Sequence, residues 1–362
     1  MNDQGRGLES APPQTDPFTE PAPAIPGIDA PDASVTPTPG TAAQLARYTA
    51  LRAAPRHVAI ILAIAVSTST IVLLWLGLSG EQILVIQAVV AVYVLVATYF
   101  SLRRQYRAVS RSDVTGGSCA LALGADALDL ADGASRTRIG YDRIGSVRAT
   151  RRVVDLGFDN RHVALPRALF ADDPLAELRR LVDPGAAPRP APLPPMPRLP
   201  RPQAQLVIAA DTAHRLTVAR RLEPYRRTPG RLAIVLVLLE VCAFGGLEYG
   251  VPGALSALVG AVLWVLAVRF WMRRPSANAV RQYQGMLPAS SGLAAQFGTD
   301  AMVLAGATFL LRVPYSNVAE VTLRADCAVV KYGAAPLVLP RGLFPPEVLP
   351  RLQEVGVVIV DR

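Results

Sequence analysis

The chain repeats itself. GADALDLA at 124–131 returns as GTDAMVLA at 298–305, and LPRALF at 165–170 returns as LPRGLF at 339–344. Both pairs are shifted by 174 residues, as are Tyr141 and Tyr315, so the copies align without a gap. Self-similarity of this kind means one structural unit used twice. Within each copy, short apolar stretches are separated by Gly, Asp and Asn turn signals, the pattern of short strands. The first copy predicts strands near Cys119–Leu123, Ala127–Ala131, Arg136–Tyr141, Ile144–Thr150, Val153–Phe158 and His162–Leu165. The second predicts the matching set from Leu293–Phe297 to Leu337–Leu339. Proline in the Leu-Pro-Arg step cannot donate to a ladder and ends the last strand. A helix is expected after it, near Pro174–Val182 and again near Pro346–Val355.

Long apolar runs precede each copy, at 58–78 and 83–100 and at 232–249 and 252–271. Each is near the roughly 20 residues a helix needs to cross hydrocarbon, and 51% of the chain is hydrophobic. The expected fold class is therefore membrane α plus β: two transmembrane hairpins, four helices in all, each hairpin followed by a small β domain. The formal charge is +9, with Lys331 the single lysine. Arginines flank both hairpins, while the tight turns hold only Glu81 and Glu248. By the positive-inside rule, the expectation is a multi-pass protein of the bacterial inner membrane with both termini and both β domains cytoplasmic.

The expected organisation is a disordered Pro/Ala-rich tail over 1–40, a lead-in and first hairpin over 41–107 and a β domain over 108–182. A Pro-rich linker over 183–203, a second lead-in and hairpin over 204–274 and a second β domain over 275–362 follow. The unit resembles the YcxB-like family of bacterial membrane proteins. The matching residues are Tyr141, Ile144 and Val147, their counterparts Tyr315, Val318 and Val321, and the two Leu-Pro-Arg-x-Leu-Phe steps. That resemblance implies a transmembrane hairpin followed by a pleckstrin-homology-like (PH-like) barrel with a C-terminal helix, here in tandem, and carries no established activity.

Chemistry-bearing patterns are sparse. There is no phosphate loop, no HExxH and no dinucleotide fingerprint. Cys119, Cys242 and Cys327 lack ligand spacing, and the histidines His57, His162 and His214 are scattered, so neither a metal nor a cofactor is expected. Asp126 and Asp300 recur, but as turn residues rather than an acid–base pair. Arg167 and Arg341 are candidates to contact a partner or lipid. Glu240, with Ser67, Thr68 and Gln87, is a candidate intramembrane polar site, because a carboxylate at mid-membrane depth is costly to keep. The functional expectation is a non-enzymatic integral membrane protein whose two β domains hold a protein, peptide or lipid headgroup. The alternative is a small transporter or ion sensor using Glu240. Expected partners are membrane lipids and a protein partner or homo-oligomer, with no nucleic acid.

Overall fold

The computed structural model describes residues 17–38, 118–159, 161–170, 172–183, 185, 191–226, 277–332 and 335–361. It also describes isolated positions within 40–48, 79–99 and 251–259. The first copy forms β2 (Cys119–Leu123), β3 (Ala127–Ala131), β4 (Ser135–Gly140), β5 (Ile144–Ala149), β6 (Val153–Phe158), β7 (Arg161–Pro166) and α1 (Asp172–Val182). The second forms β9 (Gly292–Phe297), β10 (Ala301–Ala305), β11 (Phe309–Pro314), β12 (Val318–Leu323), β13 (Cys327–Tyr332), β14 (Ala335–Pro340) and α4 (Leu349–Glu354). Further elements lie outside the repeat: β1 (Ala33–Val35), β8 (Ala204–Val207), α2 (Thr212–Arg226), α3 (Ala277–Met286) and β15 (Val358–Asp361).

The repeat extends to single hydrogen bonds. Tyr141 donates its backbone N–H to Asp126 O at 3.0 Å, and Tyr315 does the same to Asp300 O at 3.0 Å. Gly124 N to Ala127 O and Gly298 N to Ala301 O are another such pair, as are Phe170 N to Arg167 O and Phe344 N to Arg341 O. Even the irregularity in the ladder recurs, between Ile144 and Ser146 and between Val318 and Glu320.

The copies do not form separate barrels. β4 and β11 pair antiparallel, and this fuses the first halves of both copies into one eight-stranded sheet, ordered β1-β2-β3-β4-β11-β10-β9-β8. The register places Phe309 opposite Thr137, Leu310 opposite Arg136 and Leu311 opposite Ser135. Arg136 and Leu310 are equivalent positions, so a pseudo-twofold axis passes through their pair. The flanking bonds obey it: Arg138 N donates to Thr308 O and Arg312 N to Ala134 O, both at 2.8 Å. Under one face of this sheet lie two smaller sheets, β5-β6-β7 and β14-β13-β12-β15. Alternate strand residues fill the space between. Leu121, Leu128, Ile139, Leu156 and Phe170 pack the first core, and Phe297, Leu304, Val313, Val329 and Phe344 the second. α1 presents Leu175, Leu178 and Leu181 to the first core from a single helical face, and α2 and α3 add Leu216 and Tyr283 to the second.

The expected membrane architecture is corrected here. Among the described residues no helix is long and apolar enough to cross a membrane. The helices with described bounds hold 11, 15, 10 and 6 residues, short of the roughly 20 that a crossing requires. Four transmembrane helices with free PH-like barrels, a multi-pass inner-membrane location with cytoplasmic domains, and a function built on membrane insertion are therefore not supported. The runs 58–78 and 232–249 lie outside the described residues, as do Ser67, Thr68 and Glu240. Described positions within 83–100, among them Gln87, are helical.

The tail read as disordered over 1–40 is also corrected over 17–38. Phe18 stacks on Phe297 with centroids 6.4 Å apart, Ala22 N donates to Asp300 Oδ1 at 2.9 Å, and Asp32 Oδ2 accepts from Leu123 N at 2.6 Å. The segment therefore starts at the second core with Phe18, runs over the outer face of the large sheet from Ala22 and ends as β1, paired to β2. The Pro-rich linker returns along the same face. Leu199 packs with Ala22, Ile25, Ala301 and Val303, and Arg201 pairs with Glu20 at 3.3 Å. Few apolar residues in each strap suffice because the sheet supplies the other half of the contact.

Candidate functional site

The fused sheet creates a site that neither copy could make alone. Beneath the β4–β11 seam lies a pocket of ≈ 330 Å³, walled by Cys119, Leu130, Phe158 and Leu165 from the first copy and by Met286, Phe309 and Leu311 from the second half of the chain. Its walls are mostly apolar because β11 turns Phe309 and Leu311 to this side, β3 adds Leu130 and the β6–β7 hairpin adds Phe158 and Leu165, while β4 brings Ile139 with the polar Ser135 and Thr137.

The polar groups at the rim are held by the protein itself. Arg143 pairs with Asp159, its Nε donating to Asp159 Oδ2 at 3.0 Å. The same guanidinium sends Nη1 to Gly285 O at 3.1 Å. Thr308 Oγ1 also donates to Gly285 O, at 3.3 Å, and to Met286 O at 3.4 Å. Gly285 and Met286 end α3, where carbonyls lack intrahelical partners and the helix dipole favours a cation. A side chain from the first copy thus caps a helix attached to the second. The approach is close: a Cβ at Gly285 would stand 2.0 Å from Arg143 Nη2, so a larger residue there would displace the Arg143–Asp159 pair. Asp159 reaches this place from the β6–β7 turn with φ of 46°, a left-handed conformation that aspartate tolerates.

Cys119 borders the pocket as a neutral thiol. Burial, with the charge of Asp132 adding to it, pushes the thiol up to about 11. That is the reverse of the shift an attacking cysteine needs. Asp132 accepts from the backbone N–H groups of Ala134 at 2.8 Å and Ser135 at 2.5 Å, so its carboxylate stabilises the β3–β4 turn.

On the opposite face of the sheet the seam carries a buried charge cluster. Asp129 is 0% exposed and Arg136 4%. Asp129 Oδ2 accepts from Arg136 Nη2 at 2.9 Å and from Arg138 Nη2 at 2.9 Å, while Oδ1 accepts from Arg138 Nε at 2.7 Å. Arg136 Nη1 reaches Gly27 O at 2.9 Å, and Arg138 Nη2 reaches Pro194 O at 2.5 Å. The cluster thereby binds both straps. The matching positions in the second copy are Val303, Leu310 and Arg312. There the strap packs on apolar side chains, and Arg312 pairs instead with Asp300.

Of the candidates singled out from sequence, the described ones, Arg167, Arg341 and Gln87, do not line this pocket. Arg167 and Arg341 occupy equivalent points of the two copies, and each turns back on its own chain. Arg167 Nη2 donates to Asp172 Oδ1 at 2.7 Å, and Arg341 Nη1 donates to Phe344 O. Gln87 is half-buried on a helical position, and Glu240, Ser67 and Thr68 fall outside the described residues. Among the described residues no cluster of His, Cys, Asp and Glu could hold a metal ion. Arg143, Asp159 and the Asp129 cluster went unread. The signal that could have found them is difference rather than repetition, since Asp129, Arg136, Arg143 and Asp159 sit where the two copies disagree, and only Arg138 recurs, as Arg312. No protein-family model matches this chain, and comparison with curated proteins finds no match.

Proposed function

We propose that the chain is a non-catalytic binding protein whose seam pocket takes a compact, largely apolar, uncharged small molecule. The observation that carries this reading is the pocket itself: ≈ 330 Å³ of mostly apolar space built jointly by both copies, at the lower end of the size range of ligand sites. The rim favours a neutral ligand. The charge of Arg143 is already matched by Asp159, so an anion gains no unmet cation there. The Cys119 thiol is held protonated, which leaves the wall without an activated nucleophile.

The test is thermal unfolding of the full chain with octanol and, separately, octanoate. A ligand that binds only the folded state stabilises it by about 2.7 kcal/mol at one hundred times its Kd. Octanol should raise the Tm in a saturable way and octanoate should do so less. Leu311→Trp, which places a larger ring in the pocket from a half-buried position, should abolish the octanol shift while the variant still unfolds cooperatively. An equal response in wild type and Leu311→Trp, or none in either, would overturn the proposal.

A further inference from the structure

The two copies treat one edge differently. In the second copy the outer edge of β12 is covered by β15, which adds in parallel with Glu320 opposite Val358, Val321 opposite Ile359, Thr322 opposite Val360 and Leu323 opposite Asp361. β5 is the same strand of the first copy, with the same bulge. Among the described residues no strand pairs with its outer edge. Exposure follows the difference. Val321, Thr322 and Leu323 are 1%, 2% and 0% exposed, whereas Val147 is only half-buried and Arg148 and Ala149 are exposed.

The chain's own sequence is less suited to the same cover in the first copy. After α4, Gly356 adopts φ of +86° and turns the chain into Val358-Ile359-Val360, a β-branched run suited to a strand. At the matching place after α1 the sequence reads PGAA over 184–187, within a run of prolines. Proline lacks the N–H that a ladder needs, and glycine and alanine are poor strand formers.

We infer that the outer edge of β5 is a docking site for an extended segment of a partner protein, added in parallel as β15 is added to β12. Addition of a strand to an open edge supplies main-chain hydrogen bonds for affinity and side-chain pockets for specificity. The internal copy specifies the occupant's core as a short run of β-branched aliphatic residues. The charges specify its end. Leu323 opposite Asp361 places the C-terminal end of a parallel partner beside the end of β5, where Arg151 and Arg152 are exposed. Their counterparts in the second copy are Ala325 and Asp326. The partner segment is therefore aliphatic with an acidic C-terminal end. The same arginines oppose pairing of two β5 edges from two copies, since like charges on an edge strand keep like edges apart.

The test uses the full chain and a fluorescent peptide with the sequence of residues 357–361 extended by two glutamates. Hydrogen exchange on the complex should show new protection across Gly145–Ala149, with β12 unchanged. The double variant Arg151→Glu, Arg152→Glu, which alters only exposed side chains, should weaken binding by roughly tenfold, the scale of two exposed ion pairs turned to repulsion. Equal binding to that variant, protection confined to 318–323 through exchange with β15, or a concentration-dependent dimer in place of peptide binding would each overturn the inference. The seam pocket lies under a different part of the fold, so failure here leaves the octanol experiment untouched.

Discussion

Asp129 shows how one buried charge is kept. Its carboxylate receives both guanidinium groups of Arg136 and Arg138, and these in turn hold the two straps. Asp129→Ala would leave two arginines facing each other with little water, and breaking one side of a buried pair typically costs about 3–5 kcal/mol. The second copy has already made the apolar exchange, with Val303 and Leu310 at the equivalent positions. The double change Asp129→Val, Arg136→Leu should therefore restore most of the loss, because a well-packed apolar replacement of a buried ion pair is often neutral. Urea unfolding of the single and double variants checks this. A double variant less stable than the single one would mean that the charges set the strap's path as well as its stability. At this scale the repetition misled the sequence reading. It drew attention to Asp126 and Asp300, which recur and make turns, and away from Asp129, which does not recur and is the buried one.

At the scale of elements, the repeat strands were legible because each carries its own alternation and its own turn. β3 over Ala127–Ala131 and β6 over Val153–Phe158 fall where the apolar pattern places them. The elements outside the repeat were not. β1 holds 3 residues and β8 and β15 hold 4 each, too few for a period to show, and each exists only because an edge is available beside it. β15 illustrates the dependence. Truncation before Val357 should uncover Val321 and Leu323 and remove the buried Val357, lowering stability by about 3 kcal/mol or more on the scale of burying aliphatic side chains. Denaturant unfolding of the truncated chain measures it. A midpoint equal to that of wild type would show that β12 does not need its cover, and would remove the contrast on which the β5 edge was judged open.

At the scale of the whole molecule, the contact that decides the architecture joins strands 174 residues apart, and nothing local in either strand announces it. β4 and β11 each read as an ordinary half-buried strand, so the sequence supports two separate barrels as readily as one fused sheet. The pocket was hidden for the same reason, since its walls belong to different copies. The apolar runs dominated the sequence reading and led to a membrane architecture that the described helices do not support.

The fusion is also the easiest feature to test. Residues directly opposite in an antiparallel pair have Cα atoms about 4.5–5.5 Å apart, within disulfide reach, whereas diagonal neighbours stand at about 7–8 Å and are not. With Cys119, Cys242 and Cys327 replaced by alanine, Ser135→Cys combined with Leu311→Cys should form a disulfide within one chain under mild oxidation. Ser135→Cys combined with Phe309→Cys, two residues off in register on the same face, should not. That pair of results would establish the seam and its pseudo-twofold register. Crosslinking of the second pair instead, or disulfides formed only between chains, would show that β4 and β11 do not meet in this way, and the shared pocket would go with them.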